Sequence, residues 1–176
     1  TTPPARYTEA SLVKRLEELE IGRPSTWASI MQTIQDRGYV WRKGQALVPT
    51  WTAFAVIGLL EQHFGELVDY DFTARVETDL DAIAAGRRQK AQWLSEFYFG
   101  SGGPDGLDGD DDDDGLPGLK RLVEENLDHI DAAEINTFPL GVDADGELVV
   151  VKPGKYGPYV KRGDDTASVP DDLTPD

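Results

Sequence analysis

Arg6–Val40 reads RYTEASLVKRLEELEIGRPSTWASIMQTIQDRGYV, and this stretch decides the fold of the first half of the chain. Thr8 is the kind of residue that caps a helix N-terminus, and Leu12, Leu16 and Leu19, with Val13 beside them, then fall on one helical face. The spacing predicts a first helix over about 9–20. A turn at Ile21–Pro24 leads to a second helix, capped by Ser25 or Thr26, with Trp27, Ile30, Met31 and Ile34 as its apolar stripe and Gly38 as its stop. The turn gathers a guanidinium (Arg23), two hydroxyls (Ser25 and Thr26) and a helix N-terminus, while Pro24 fixes φ. Such a corner suits a phosphate. The plainer reading stays open: the hydroxyls only cap, and Arg23 pairs with an acid such as Glu20.

Outward from this stretch, Tyr39–Val48 (YVWRKGQALV) has a polar turn between β-favouring flanks and reads as a hairpin. Helix, turn, helix and hairpin is the order of a winged-helix-like unit. Thr50 caps a third helix to about Phe64, Thr73 a fourth to about Ala85, and a fifth runs over about Arg87–Phe97. Gly100–Gly118 then interrupts the pattern with GSGGPDGLDGDDDDDGLPG, whose five aspartates at Asp110–Asp114 repel and bury nothing. A helix over about 117–128 follows, and the remainder turns to strands: FPLGV, LVVV and YVKR, separated by turns at Asp143–Gly146 and Pro153–Gly154. The expected class is α+β: a mainly helical, winged-helix-like domain over 1–99, an acidic flexible linker over 100–118, and a small β-rich module over 119–170.

With 176 residues the chain can bury a real core without staples. It has no cysteine, and its two histidines, His63 and His129, are far apart, which excludes disulfides and argues against a structural zinc site. No apolar run reaches bilayer length and no signal peptide opens the sequence, so a cytoplasmic protein without a membrane partner is expected. Thr1 is not an initiator residue, so a piece of a longer protein is expected as well. A net charge of −16 argues at first against nucleic acid. The charge is unevenly spread, however: residues 101–134 hold twelve Asp/Glu against two Lys/Arg, while residues 1–62 hold seven Lys/Arg against six acids. The flanks are therefore free to carry basic patches.

Lys152–Arg162 (KPGKYGPYVKR) is the second candidate site. Lys152, Lys155, Lys161 and Arg162 alternate with Tyr156 and Tyr159, and no acid intervenes. Cations for a backbone and aromatic faces for unstacked bases are what single-stranded nucleic acid requires. Against this stands a reading in which one tyrosine is core and the lysines blunt a sheet edge. Lys14, Arg15, Arg37, Arg42 and Lys43 would widen a basic surface near the first site or serve as solvated charge. The aspartate run lacks the folded-loop spacing of a calcium or magnesium site, and Glu9 suits the first turn of a helix better than catalysis. No Ser/His/Asp arrangement or phosphate-loop motif appears.

The strings PPARYTEASLVKRLEE, IGRPSTWASI, QDRGYV and LVDYDFTARVE together resemble the type IA DNA topoisomerases over roughly residues 3–99, and the likeness resumes over 137–162. RYTEASLVK followed by IGRPST is specific to that family; Glu20 and Trp27 stand where the family usually carries Gly and Tyr. The resemblance implies that this segment joins the base of the toroid to the cleavage site and guides a single strand there. It carries a strand-binding role to Ser11, Lys14, Arg23, Ser25 and Thr26. KYGPYVKR resembles the Gly-Pro-Tyr carboxy-terminal repeats of actinobacterial-type topoisomerase I, which bind single strands, and points to Gly157, Pro158 and Tyr159 with Tyr156 beside them.

The activity implied is cleavage through a phosphotyrosine bond, strand passage and religation, relaxing negative supercoils. Magnesium is implied for the parent enzyme and no cofactor for this stretch. The implied partners are single-stranded or negatively supercoiled DNA and the rest of the topoisomerase chain, at the nucleoid. The family's Arg-Thr-Asp-Ser tyrosine context does not occur in the chain, so no catalytic residue is assigned and no independent cleavage is expected. A reading from another class competes: an acidic interaction module that recruits a basic partner through the aspartate-rich segment.

Overall fold

Thr8 begins the first helix as a reciprocal capping box: its hydroxyl accepts from the Ser11 N–H at 3.2 Å, and the Ser11 hydroxyl accepts from the Thr8 N–H at 2.8 Å. The computed structural model describes residues 4–101, 103, 118–170, 173 and 175. Helix α1 spans Glu9–Glu18 and α2 spans Pro24–Asp36. Strands β1 (Val40–Lys43) and β2 (Ala46–Pro49) form the expected antiparallel hairpin, with Val40 opposite Pro49 and Lys43 opposite Ala46. The chain before α1 lies against that hairpin: Leu47 N–H donates to the Tyr7 carbonyl at 2.7 Å, and Thr8 bridges Ala46. Glu9 ties the same corner together, accepting from Arg42 at 3.1 Å and from Gln35 at 3.3 Å.

Helix α3 (Trp51–His63) starts where its sequence requires, with the Thr50 hydroxyl accepting from the Ala53 N–H at 3.2 Å. A short 3-10 turn at Gly65–Val68 precedes α4 (Tyr70–Ala84), which begins three residues earlier than Thr73 because Asp69 takes the cap, its carboxylate accepting from the Phe72 N–H at 2.8 Å. Helices α5 (Lys90–Phe99), α6 (Leu119–Leu127) and the one-turn α7 (Ala132–Ile135) follow. The tail is a four-stranded antiparallel meander in the order β3 (Phe138–Val142), β4 (Leu148–Lys152), β5 (Tyr159–Arg162), β6 (Asp165–Ser168). Strand β6 has no sequence signal of its own: DTAS offers no apolar face, all four residues are exposed, and pairing with β5 alone makes it a strand. The α+β class follows directly from these elements.

Two compact units share the chain. One combines residues 1–62 with 131–176, and the other holds residues 63–130. In the first, Met31, Leu47, Val48 and Ala55 are buried from the helical side and Val150, Val151 and Val169 from the sheet. Trp51 lies tilted on Phe138 with ring centroids 5.4 Å apart, joining the start of α3 to the start of β3. Grouping by spatial proximity therefore cuts across the chain-order division into 1–99, 100–118 and 119–170. Asp110–Asp114 lies outside the described residues. Gly118 (φ +84) lies against the end of α5: a side chain there would run into the backbone of Phe99 and Gly100. Among the described residues no helix is long and apolar enough to cross a membrane.

The second unit is organised by Trp93, its one buried hydrophobic side chain among the described residues. The indole stacks on Phe97 at 5.1 Å and donates to Asp79 at 2.8 Å. Arg88 bridges the same Asp79 to Glu96, and the Glu96 hydrogen bond, reinforced by Asp79, raises the guanidinium further above its ordinary value. Replacing Trp93 with Ala removes both the stack and the hydrogen bond. It is expected to destabilise this unit by about 3–5 kcal/mol, measured as a shift of its urea midpoint.

Candidate nucleic-acid interface

The turn between α1 and α2 is built from its own hydrogen bonds. Helix α1 ends in a Schellman motif: Ile21 N–H donates to the Leu16 carbonyl at 2.9 Å and Glu20 N–H to the Glu17 carbonyl at 3.1 Å. The motif needs a left-handed residue, and that residue is Glu20, with φ +58. Gly22 (φ +72) then passes beneath the Trp27 indole, which donates to the Ile21 carbonyl at 3.0 Å; a Cβ on Gly22 would lie 2.9 Å from Nε1 of that ring. Arg23, not Ser25 or Thr26, is the N-cap residue, and Pro24 takes the first helical position. Thr26 reaches back to Arg23, accepting from its N–H at 3.0 Å and donating to its carbonyl at 2.9 Å. The Arg23 guanidinium folds over the turn, donating to the carbonyls of Gly22 at 2.7 Å and Glu20 at 3.3 Å.

These bonds give the corner a fixed shape but occupy most of its donors. Proline contributes no N–H, and the Thr26 and Trp27 amides both donate to the Arg23 carbonyl. Ser25 is exposed at the rim. Ser11 sits one turn into α1 with its hydroxyl held in the capping box, and Lys14, three residues on and exposed, shares its helix face. Among the named cations nearby, Arg15 pairs with Glu18 and Arg42 with Glu9.

The β4–β5 hairpin sorts the second group of residues differently. Gly154 and Gly157 exchange N–H···O bonds at 3.1 Å, closing a loop of two residues. Lys155 and Tyr156 are those two, and Tyr156 is 94% exposed, with the Lys155 ammonium 5.5 Å from its ring centroid. Register places Lys152 opposite Tyr159 and Val150 opposite Lys161, so Lys152, Tyr159 and Lys161 share one face of the sheet. Tyr159 is half-buried, and its ring lies over Gly154: a Cβ there would fall 3.0 Å from the ring and 2.8 Å from the Gly157 carbonyl. Arg162 faces the opposite side and is paired with Asp143 and Asp145. Seven glycine, tyrosine and lysine positions of this segment thus become an exposed cation–aromatic tip, one mixed face and a packed base.

Trp41 and Trp51 were not among the sequence-derived candidates, yet they lie beside this hairpin and line a cavity with its base. Their signal was available: one tryptophan lies in the β1–β2 hairpin and another just after it, ten residues apart. Among the described residues no group of three or more His, Asp or Glu side chains is arranged to hold a metal ion, so no step is routed through one.

A helical segment with a self-bonded turn is followed, in the same compact unit, by a cation-bearing β-meander. The family model of DNA topoisomerase matches residues 1–95, and that of the topoisomerase C-terminal repeat matches residues 143–176. The chain belongs to the type IA DNA topoisomerase family. It is 57% identical to DNA topoisomerase 1 of Mycobacterium tuberculosis and 58% identical to that of Streptomyces coelicolor, in each case over 100% of this chain and 19% of the relative. The solved structure of full-length topoisomerase I from Thermotoga maritima matches with a TM-score of 0.67 at 30% identity, over 99% of this chain and 26% of that one. The chain thus spans about a fifth of the length of the curated relatives it matches.

Glu20 occupies a backbone conformation that costs a side-chain-bearing residue about 1–2 kcal/mol. Glu20→Gly relieves it and keeps the hydrogen bonds made by the backbone at this position, and part of the gain is offset by the greater freedom of glycine in the unfolded chain. The substitution is expected to raise stability by about 0.5–1 kcal/mol, measured by thermal or urea unfolding.

Proposed function

We propose that this stretch binds single-stranded DNA and guides it within a type IA topoisomerase that relaxes negatively supercoiled DNA. The observation that carries the reading is the β4–β5 tip. A tyrosine exposed to 94% contributes nothing to a core, and its ring stands beside an ammonium, with a further pair of lysines on one face of the sheet behind it. An aromatic face stacks on any unpaired base, and the flanking cations meet the phosphates on either side. The acidic total of the chain does not oppose this, because the tip and the Lys152–Lys161 face carry no acid from Lys152 to Arg162.

The α1–α2 corner has the smaller part in this reading. Its donors mostly hold the turn, so its contribution is a rigid edge with Ser25 at the rim and Lys14 on the adjoining helix, along which a backbone is steered. The protein works at the nucleoid in the cytoplasm, with the remaining topoisomerase domains as its partners, and magnesium serves the cleavage chemistry of the whole enzyme.

Anisotropy titration of a short labelled oligonucleotide at low salt tests this. Tyr156→Ala is expected to weaken binding by about 1–3 kcal/mol, about 5- to 150-fold. Lys155→Ala is expected to make the slope of log K against log salt shallower by about 0.7, the single-strand value for one phosphate contact. No measurable binding by the unsubstituted chain, or binding unaffected by both substitutions, overturns the reading. The 176-residue chain alone is expected to leave supercoiled plasmid unrelaxed in a gel assay.

A further inference from the structure

The β-meander is polarised along its strands. Lys152 and Lys155 mark the end closed by the β4–β5 loop. The β3–β4 and β5–β6 turns close the other end and carry Asp143, Asp145, Glu147 and Asp164, with Asp165 opening β6. Arg162 is the one cation in residues 139–151 and 162–168. Its guanidinium is divided between two of those acids: Nε meets one Asp143 carboxylate oxygen, and Nη2 donates to Asp145 at 2.6 Å. The other Asp143 oxygen accepts from the N–H groups of Asp145 and Glu147, each at 2.9 Å, so the turn is wound around that carboxylate. Glu147 reaches the β5–β6 turn, where a Cβ on Gly163 would fall 3.1 Å from its carboxylate. Register puts Arg162 opposite Val149 and Asp165, on the face away from Lys152, Tyr159 and Lys161.

We propose that Arg162 is a positioning residue for strand binding. It holds Asp143 and Asp145 on the far side of the sheet and cancels one of their two charges, which leaves the Lys152–Tyr159–Lys161 face open to a phosphate backbone. It makes no phosphate contact itself. The proposal rests on the strand-binding reading above and gives a different part to a residue that the sequence places among the phosphate-binding cations. Two observations separate it from direct contact. Both edges of the guanidinium are engaged, so a phosphate would have to displace a carboxylate to reach it. The side chain also leaves the sheet on the face opposite Lys161. Its charge is nevertheless felt there: adjacent residues of a strand are separated by a rise of about 3.3 Å, well inside the Debye length of about 10 Å at 0.1 M salt. Asp143 and Asp145 without Arg162 would repel a backbone laid along Lys161.

Anisotropy titrations of a labelled thymidine octamer over a range of salt concentrations test this on the full 176-residue chain. Arg162→Ala is expected to weaken binding about threefold while leaving the slope of log K against log salt unchanged, because no phosphate contact is lost. Lys161→Ala is expected to weaken binding and make that slope shallower by about 0.7. Adding D143N and D145N to R162A is expected to restore affinity to within about twofold of the parent chain, since the repelling charges are gone. Asn at 143 keeps an oxygen for the N–H groups of the turn, and circular dichroism reports whether each variant retains the sheet. Should R162A lose it, the triple variant decides alone. R162A binding like the parent chain, or the triple variant binding as weakly as R162A, overturns the proposal and leaves strand binding standing. A slope made shallower by about 0.7 in R162A assigns Arg162 to a phosphate and overturns it as well. No octamer binding by the parent chain overturns both.

Discussion

The contact of Trp51 with Phe138 is the constraint on which the first unit depends. The two rings belong to segments separated by more than eighty residues of sequence, and their centroids lie 5.4 Å apart in a tilted arrangement. One ring opens α3 and the other opens β3, so the pair fixes where the β-meander begins relative to the helical segment. The surroundings of the hairpin base follow from that join. Without it, the β4–β5 loop would be a cationic tip on an isolated small sheet; with it, the base of the loop faces Trp41 and Trp51 across a cavity. Val48 and Val151, the two most fully buried side chains described, belong to the same unit, one from each segment.

Charge is managed by pairing and register, not by overall balance. Of the cations that looked alike in sequence, Arg42 is held by Glu9, Arg15 by Glu18, and Arg162 by Asp143 and Asp145. Exposed pairs of this kind contribute little to stability, about 0–1 kcal/mol each. Their effect here is to remove arginines from the candidate interface and leave lysines on it. Lys152 and Lys161 reach the same face because they sit at alternate positions across an antiparallel pair, while Arg162, one residue further, turns away.

The α1–α2 turn shows how a motif that looks like a ligand site can be occupied by its own backbone. Arg23 and Thr26 fit a phosphate grip by residue type, yet the guanidinium donates to two carbonyls of the turn and the hydroxyl closes on the Arg23 peptide. Glu20 and Trp27, which stood out as departures from the usual Gly and Tyr, have readable places. Position 20 is left-handed, which is where glycine is favoured, and the indole at 27 adds a hydrogen bond to the Ile21 carbonyl.

Local signals in the sequence were sufficient for most elements. Thr8 and Thr50 cap the helices they precede, the hairpin at 39–48 forms, and the α+β class stands, because capping and periodicity act within a few residues. The errors are local competitions: Asp69 outbids Thr73 as a cap by lying one turn earlier, and Arg23 precedes a proline that must be the first helical residue. The sequence by itself determined the family, the elements and the identity of the cation–aromatic segment. Only the tertiary structure decided that Tyr156 is exposed while Tyr159 packs on Gly154, that β6 exists, and that the tail joins residues 1–62. Each of those outcomes rests on pairing between residues distant in the chain, and no propensity or spacing within a segment encodes which distant surface it will meet.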